Sequence, residues 1–444
     1  MKLKTFNNMM QTTKTEILKT ESHIKGLSIA ITHKSAVSLQ NRIPVLFLHG
    51  SSFPSQLSFN FKMNHKSWMD HLCEDGFDVY ALDFLGYGHS DRYPEMDNEE
   101  SFTVVGKAIE VYEDVVIAVN YILNKTGATN VFLIGHSWGG SVAALYASRH
   151  PDKTKKLVLF AAITARKYET EQENIRGSYE TMTPKQRIDA MLELTPEGRA
   201  SELEEDVIEN WGALWIDSDP LSEKRGSDDV KFPSGPSQDV QDLLHNNSYY
   251  DPQKIISPTL IIRGEWDEYP DNHDAYNLFI SLENAVSKKY VVIEKGTHVV
   301  HLEKSRYKLY NEVLHFLGSE NRNEEHSGSI AVIFEVIPHE GRQKEYLDMA
   351  AKLRTELEKI PGFISIERFQ SITHPDKLLS LSFWENEEAI QKWRNLEFHR
   401  EAQHAGRTFI FKDYQLRIGY IMRDYGMTTR KEAPADSRDY HTNS

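Results

Sequence analysis

The stretch VFLIGHSWGG, residues 131–140, places a serine between glycines at the end of an apolar run. A Gly-x-Ser-x-Gly turn between a strand and a helix is typical of a nucleophile elbow. Glycines at 135 and 139 leave room for the strained backbone that presents the hydroxyl of Ser137. The helix that follows would direct its N-terminal amides toward the same hydroxyl, where an oxyanion forms. The pattern therefore favours a nucleophilic serine over a turn that merely needs small residues.

Short apolar runs on both sides of this turn predict further strands. Buried parallel strands appear in sequence as continuous apolar segments separated by helical stretches. The segments are residues 43–50, 77–88, 131–140, 156–162, 258–267 and 289–298. A helical candidate at 105–127 ends in a glycine stop signal. The alternation predicts an α/β fold with a doubly wound, mostly parallel sheet covered on both faces.

The domain boundaries follow from changes in composition. Residues 1–23 are polar and are interpreted as an N-terminal extension, with the α/β domain at 24–318. Within that domain, residues about 165–250 are polar, charged and helical in patches, and they predict an inserted helical cap without strands.

The chain changes character after residue 318. Residues 319–328 have the composition of a linker. Residues 329–427 repeat a βαββαβ order that predicts a ferredoxin-like α+β domain. Residues 428–444 have the composition of a disordered tail.

A serine hydroxyl needs a base, and the expected chain order in this architecture is Ser, acid, His. His298 directly follows the last predicted strand, at the sheet edge where such folds hold their chemistry. His301 is the alternative, but a helix starting near it would carry it away from the strand end. We therefore predict that His298 is the base.

The acid should fix the tautomer of the imidazole and stabilise the imidazolium. Asp267 is the last residue of the segment 258–267, just after its apolar run, and has the matching position at the sheet edge. Nearby carboxylates remain alternatives: Glu265, Glu268 and Asp271.

An oxyanion hole requires two preorganised backbone amides. One is predicted from Trp138, the residue after the nucleophile, and the other from Ser51, with Ser52 as the alternative. His49 precedes this turn and is interpreted as structural rather than as a base.

The motifs HGSS, DFLGYGHSD, GHSWGG, GEWDEYP and GTH occur in an order that resembles the α/β-hydrolase family over residues 24–318. The resemblance implies an eight-stranded sheet, a helical cap and acyl-enzyme chemistry at Ser137. Haloalkane dehalogenases of this fold carry aspartate at the elbow, so Ser137 argues against dehalogenation. Esterase, lactonase, amidase, thioesterase and C–C bond hydrolase activities remain open.

The second domain resembles the antibiotic biosynthesis monooxygenase family of dimeric α+β barrels. WRNLEFHREAQHAGR (393–407) and DYQLRIGYIMRDYG (413–426) carry the likeness. It implies a homodimer, through a domain used for dimerisation or as an accessory. The first strand of the domain lacks the asparagine of heme-degrading members, which argues against heme. Trp393, His399 and Tyr414 either line a pocket or form core.

Composition excludes several partner classes. The net charge of −15 argues against nucleic acid and anionic membranes. The single Cys73 cannot form an internal disulfide, and no apolar run is long enough to span a membrane. A cytoplasmic protein with a small-molecule substrate is expected, and no motif requires a cofactor or a metal.

These observations favour a serine hydrolase that cleaves a small-molecule ester, lactone or related acyl bond. The alternative is a cofactor-independent oxygenase acting on an aromatic or polyketide-like substrate. A non-catalytic binding module is a third hypothesis, because a fold alone does not establish activity.

Overall fold

The computed structural model describes residues 14–35, 43–98, 100–166, 171–319, 329–421, 423–430 and 433. The chain divides into two compact units, Met1–Ser319 and Glu320–Ser444. Nearly all of the predicted linker and most of the predicted tail lie outside the described residues.

A twisted eight-stranded sheet organises the first unit, with the strand order β1-β2-β4-β3-β5-β6-β9-β10. The strands of this unit are β1 (Lys14–Glu21), β2 (Ser28–Ser35), β3 (Val45–Leu48), β4 (Asp78–Asp83), β5 (Val131–His136), β6 (Thr154–Phe160), β7 (Tyr179–Met182), β8 (Val230–Pro233), β9 (Thr259–Gly264) and β10 (Lys288–Ile293). Only the β1–β2 and β2–β4 pairs of the large sheet are antiparallel. The predicted doubly wound, mostly parallel sheet is confirmed.

Helices cover both faces of this sheet. The α-helices of the first unit are α1 (Ser55–Ser58), α2 (Trp68–Glu74), α3 (Ala108–Thr126), α4 (Trp138–Arg149), α5 (Pro184–Glu193), α6 (Gly212–Asp217), α7 (Ser222–Arg225), α8 (Gly235–Leu244), α9 (Asn272–Ser281) and α10 (Arg306–Gly318). Alternate residues of each central strand enter different cores. Leu46 and Leu48 join the cluster that includes α3 and α4, whereas Val45 and Phe47 join the cluster with α2 and α10. Burial on both faces explains why these strands read as unbroken apolar runs.

The N-terminus differs from the sequence-based boundary. Lys14–Glu21, which was assigned to an extension, is the edge strand β1 and pairs with β2 along its whole length. Its alternation of exposed and half-buried residues is typical of an edge strand, which carries charged side chains and a weak apolar signal.

The region from 171 to 250 also differs, because it contains a small sheet. The strands β7 and β8 pair antiparallel, although the sequence indicated helices only. Each strand has four residues, too few to produce a clear alternation. Trp211 and Trp215 of this region are fully buried, and the indole of Trp211 donates to the Leu57 carbonyl. Both tryptophans therefore belong to the core of the first unit.

The second unit has one antiparallel sheet with the order β12-β13-β11-β14. Its elements are β11 (Ile330–Pro338), α11 (Gln343–Leu357), β12 (Phe363–Gln370), β13 (Leu378–Trp384), α12 (Glu387–Asn395), α13 (Glu397–Ala405) and β14 (Phe411–Tyr420). This order confirms the predicted ferredoxin-like α+β class. The single helix expected near residue 395 is two helices that meet at Leu396.

Among the helices of the described ranges, none combines the length and apolar content that a membrane crossing requires.

A buried carboxylate joins the N-terminal hairpin to the long helix of the first unit. Asp114 on α3 accepts hydrogen bonds from the Ser22 hydroxyl at 2.8 Å and from the His23 amide at 2.9 Å. Its side chain is fully buried, so both donors lose their partner if the carboxylate is removed.

We expect Asp114→Ala to lower the free energy of unfolding by ~1–3 kcal/mol, because it removes the acceptor of the buried Ser22 hydroxyl and the carboxylate that the His23 amide and ring contact. Urea unfolding followed by tryptophan fluorescence measures the change. The neighbouring Glu113 is exposed, and Glu113→Ala should change stability by at most ~0.5 kcal/mol. Equal effects of the two substitutions would contradict the role of Asp114.

Candidate active site

Ser137 lies between β5 and α4 with a left-handed backbone, at φ 57° and ψ −127°. Close backbone contacts surround it. A Cβ atom on Gly135 would lie 2.3 Å from the Gly139 carbonyl oxygen, and one on Gly139 would lie 2.1 Å from the His49 carbonyl oxygen. Only glycine fits at either position, as the sequence pattern predicted.

The structure brings the three side chains singled out from the sequence together. His298 Nε2 lies 2.8 Å from Ser137 Oγ. His298 Nδ1 lies 3.1 Å from each carboxylate oxygen of Asp267. The side chain of Asp267 is 2% exposed and that of His298 is 20% exposed. A buried carboxylate, an imidazole and a hydroxyl therefore form one continuous hydrogen-bonded chain.

Two glycines bring the loops of Asp267 and His298 together. Gly264 ends β9, and a Cβ there would lie 2.2 Å from the Gly296 carbonyl oxygen. The amide of Trp266 donates to that same carbonyl at 2.8 Å. The parallel pairing of β9 and β10 thus brings together the loops that carry Asp267 and His298.

The backbone of His298 is held from two sides. His136 Nε2 donates to the His298 carbonyl at 3.0 Å. Burial depresses the pKa of His136 well below its ordinary value, so this ring is neutral. On the other side, Glu303 accepts from the Thr297 hydroxyl at 2.5 Å and from the Thr297 amide at 3.1 Å. Burial raises the pKa of Glu303 to about 7.

The sequence analysis missed both supports. The imidazole of His136 lies within the elbow motif, where only the flanking glycines and the serine gave a signal. Glu303 lies five residues after His298, outside the GTH motif.

The two predicted oxyanion-hole residues adjoin the elbow. Trp138 is the first residue of α4, where a helix leaves its amide without an intrahelical acceptor. Ser51 follows Gly50, and a Cβ on Gly50 would lie 3.2 Å from the Cβ of Ser137. The Tyr87 hydroxyl donates to the Ser51 carbonyl at 2.5 Å and so holds this turn.

Trp138 is anchored by a buried carboxylate. Its indole Nε1 donates to Asp239 Oδ2 at 2.8 Å, and the Ala108 amide donates to the same oxygen at 2.6 Å. Burial raises the pKa of Asp239 to about 7. A residue of α8 thereby fixes the start of both α3 and α4.

The alternative histidines are engaged elsewhere. His301 is fully buried against the rings of His136 and Phe160, and burial lowers its pKa to about 3. His49 Nδ1 lies 2.7 Å from the Gly50 carbonyl oxygen, and its Nε2 accepts from the Phe84 amide at 3.2 Å. With Nε2 accepting, the proton of this neutral ring lies on Nδ1, as expected of a structural histidine.

The alternative acids also have other partners. Glu265 accepts from the Lys295 amide at 2.9 Å. Asp271 caps α9 by accepting from the Asp274 amide at 2.9 Å. Asp271 and Asp274 lie with His273 in a group whose spacing would suit a metal ion, but Asp274 already pairs with Arg166. Because Asp274 is already paired and His273 is exposed, the group gives no reason to infer a metal.

Ser52, the other candidate for the oxyanion turn, contacts an arginine from α5. Arg187 donates to the Ser52 hydroxyl, and its guanidinium lies 5.8 Å from the centroid of the Phe53 ring. Within the described part of the chain, Arg187 Nε is buried without a hydrogen-bond partner. Burial lowers the pKa of Arg187 to about 10, at which it stays protonated in neutral solution.

Two family models match the chain. The alpha/beta hydrolase fold model matches residues 43–305, and the antibiotic biosynthesis monooxygenase model matches residues 329–405. Both matches confirm the resemblances drawn from the motifs.

Individual relatives match parts of the chain. Jasmonate monooxygenase ABM of Pyricularia oryzae is 43% identical over 91 residues, covering 20% of this chain and 42% of that protein. The AB hydrolase superfamily protein YisY of Bacillus subtilis is 32% identical over 182 residues, covering 40% of this chain and 54% of that protein. The chain thus spans about half or less of the length of these relatives.

Among solved structures, the thioesterase domain from the curacin biosynthetic pathway aligns at 15% identity with a TM-score of 0.46, covering 68% of this chain and 99% of that domain. Because the hydrolase model alone spans more than half of the chain, the protein belongs to the alpha/beta hydrolase fold family.

Proposed function

We propose that the protein is a serine hydrolase that cleaves a small-molecule ester, lactone or related acyl bond through Ser137, His298 and Asp267. The single observation that carries the proposal is the 2.8 Å separation of His298 Nε2 from Ser137 Oγ, with Asp267 on the opposite ring nitrogen. A hydroxyl in this arrangement can lose its proton as it attacks a carbonyl carbon.

Asp267 sets the tautomer. With its carboxylate against Nδ1, the proton of the neutral imidazole lies on Nδ1 and the lone pair of Nε2 faces the Ser137 hydroxyl. The same carboxylate stabilises the imidazolium that forms when His298 takes the serine proton.

The reaction follows from these positions. Ser137 Oγ adds to the carbonyl carbon while His298 Nε2 accepts its proton, and the amides of Ser51 and Trp138 bind the resulting oxyanion. Collapse breaks the bond to the leaving alkoxide, which takes the proton from His298. Water then attacks the acyl-enzyme in the same manner and releases a carboxylic acid and free Ser137.

A second candidate is oxygenation without a cofactor. It is favoured by the match of residues 329–405 to the monooxygenase family and by the 43% identity to a protein named as a jasmonate monooxygenase. Oxygen uptake that persists in Ser137→Ala would support this alternative, whereas hydrolysis that depends on Ser137 supports the first proposal.

We further propose that the second unit forms a homodimer with a second copy of the chain, as is common for domains of this family. The sheet face opposite α11–α13 carries half-buried apolar side chains on β13, next to the buried Ala331 and to the exposed Glu367, which lies opposite Leu381. Leu381 lies opposite Ile333, Phe383 lies opposite Ala331, and Phe369, which is 47% exposed, lies opposite Leu379. Such a face needs a cover, and a symmetric partner supplies one.

Replacement of Ser137 by alanine should lower the rate of p-nitrophenyl ester hydrolysis by at least ~10³-fold, because the attacking oxygen is lost. The assay uses esters of graded chain length together with lactones. A fluorophosphonate probe should label the wild type at Ser137 and leave Ser137→Ala unlabelled. Ser141→Ala serves as a control, because Ser141 lies one helical turn further along α4 and donates to the Trp138 carbonyl. A folded wild type that neither reacts with the probe nor cleaves esters would refute the proposal.

Glu303 should make stability depend on pH. Its carboxyl has an ordinary pKa of 4.5 and a folded-state pKa of about 7, so the folded state retains a proton that the unfolded state releases. Stability attributable to Glu303 therefore falls as pH rises from about 4.5 to about 7. We expect Glu303→Gln to flatten this part of the profile, measured by urea unfolding at several pH values. The exposed Glu283 is the control, and a Glu303→Gln profile that keeps the full wild-type slope would exclude this role.

Leu381→Glu should convert the dimer to a monomer, because it replaces an apolar side chain of the face by a second carboxylate opposite Glu367. Light scattering coupled to size-exclusion chromatography gives the mass. Ile372→Glu makes the same chemical change at a turn position that is 98% exposed and should leave the dimer intact. A monomeric wild type would rule out the proposed assembly.

A further inference from the structure

Two helices of the first unit contact the two segments whose amides bind the oxyanion in the proposed reaction. Neither α5 nor α8 carries a residue of the candidate triad. Asp239 of α8 nevertheless contacts Trp138, and Arg187 of α5 contacts Ser52, the neighbour of Ser51. Each segment therefore receives one charged side chain from a helix that takes no part in the triad.

The first turn of α4 has few side chains of its own to hold it. The helix begins with Trp138, Gly139 and Gly140. A Cβ atom on Gly140 would lie 2.5 Å from the Cβ of Ala162, so a larger residue does not fit there. Because glycine restricts the backbone little, Trp138 carries the only large side chain that can anchor the start of the helix. Its amide and its indole share one Cα, so a fixed ring limits the directions in which the amide can point.

The indole of Trp138 is held inside the protein by packing and by one hydrogen bond. The side chain is fully buried, and its ring lies 5.1 Å from that of Phe84 at an angle of 67°. Its Nε1 donates to Asp239 Oδ2 at 2.8 Å. Removal of this acceptor would leave a buried N–H unsatisfied, which favours a turn of the ring toward another partner.

Asp239 is itself held rigidly. Its side chain is buried, and Oδ2 also accepts from the Ala108 amide at 2.6 Å. The Gly235 amide donates to the Val105 carbonyl at 2.9 Å. A Cβ on Gly235 would lie 2.4 Å from the carbonyl carbon of Gly106, so the backbone of α8 touches the segment that precedes α3. The carboxylate therefore transmits a fixed position to the indole.

The turn after β3 is held in a comparable way. Arg187 donates to the Ser52 hydroxyl, and the Tyr87 hydroxyl donates to the Ser51 carbonyl at 2.5 Å. Burial lowers the pKa of Arg187 to about 10, so the guanidinium keeps its charge and all its donors in neutral solution. Two consecutive residues of the turn are thus tied to groups outside it.

We propose that Asp239 and Arg187 are positioning residues for the oxyanion hole. Asp239 sets the direction of the Trp138 amide through the indole, and Arg187 holds the turn of Ser51 through the hydroxyl of Ser52. The assignment rests on the proposed function, in which these two amides bind the oxyanion. Both side chains act through another residue and take no part in the transfer of the proton or the acyl group.

The test compares 4-nitrophenyl butyrate with its thionoester, in which sulfur replaces the carbonyl oxygen. Sulfur is a weak hydrogen-bond acceptor, so a displaced amide slows the oxygen ester much more than the thionoester. We expect Asp239→Leu to lower kcat/KM for the ester ~10- to 100-fold, through kcat, and to change KM and the thionoester rate by less than ~3-fold. Damage to the fold would instead slow both substrates together.

Matched variants separate the acceptor from the charge. Asp239→Asn keeps an oxygen acceptor and should preserve the ester-to-thionoester ratio within ~3-fold. Asp242→Leu removes another carboxylate of α8, one that accepts from Gln238 at 3.0 Å, and should leave the ratio unchanged. Arg187→Leu should lower the ratio at least ~5-fold, whereas Lys185→Leu removes an exposed cation of the same helix and should not.

Trp138→Phe tests the same connection from its other end, because it removes the indole donor and keeps the backbone amide. It should lower the ratio as much as Asp239→Leu does. Since both changes break one interaction, the double variant should lose less than ~3-fold beyond either single variant. Circular dichroism monitors folding, and Trp138→Phe carries the test should Asp239→Leu fail to fold.

A wild type that cleaves the butyrate, with an unchanged ratio in Asp239→Leu or in Trp138→Phe, would overturn the role of Asp239 and leave the proposed function standing. Equal losses for the ester and the thionoester would overturn it too, since they indicate a structural role alone. An unchanged ratio in Arg187→Leu would overturn the role of Arg187. A folded wild type that cleaves neither substrate would overturn the proposed function and these assignments with it.

Discussion

The left-handed backbone of Ser137 is the constraint around which the first unit is arranged. A non-glycine residue in this conformation costs on the order of 1–3 kcal/mol, so the surrounding structure must over-determine it. It does so through backbone contact. Gly139 lies so close to the His49 carbonyl, and Gly135 to Gly139, that no side chain fits between the elbow and the turn after β3. The same close backbone contacts also place the turn at Ser51 and the start of α4 beside the Ser137 hydroxyl.

Buried acids hold the remaining parts of the site in place. Glu303 fixes Thr297 next to His298, and Asp239 fixes the indole of Trp138 next to Ser137. Burial raises the pKa of both carboxyls to about 7. Each buried carboxyl therefore lowers the stability of the fold in neutral solution, and in return it holds a hydrogen-bond acceptor at one fixed position. Hydrogen-bond networks of this kind are costly when incomplete and rigid when satisfied. Rigid support matters because a triad displaced by about 1 Å loses much of its effect.

The sequence predicted most of what lies on strand ends, because strong local signals mark those positions. Ser137, Asp267 and His298 each follow an apolar strand, and parallel strands bring their C-terminal ends to one edge. The elements and residues that the sequence did not predict have no local sequence signal. Half of the residues of the edge strand β1 are charged, and β7 and β8 have only four residues each. None of the three shows a sequence pattern that differs from that of a loop. His136 and Glu303 support the site through tertiary contacts, which leave no local pattern in the sequence.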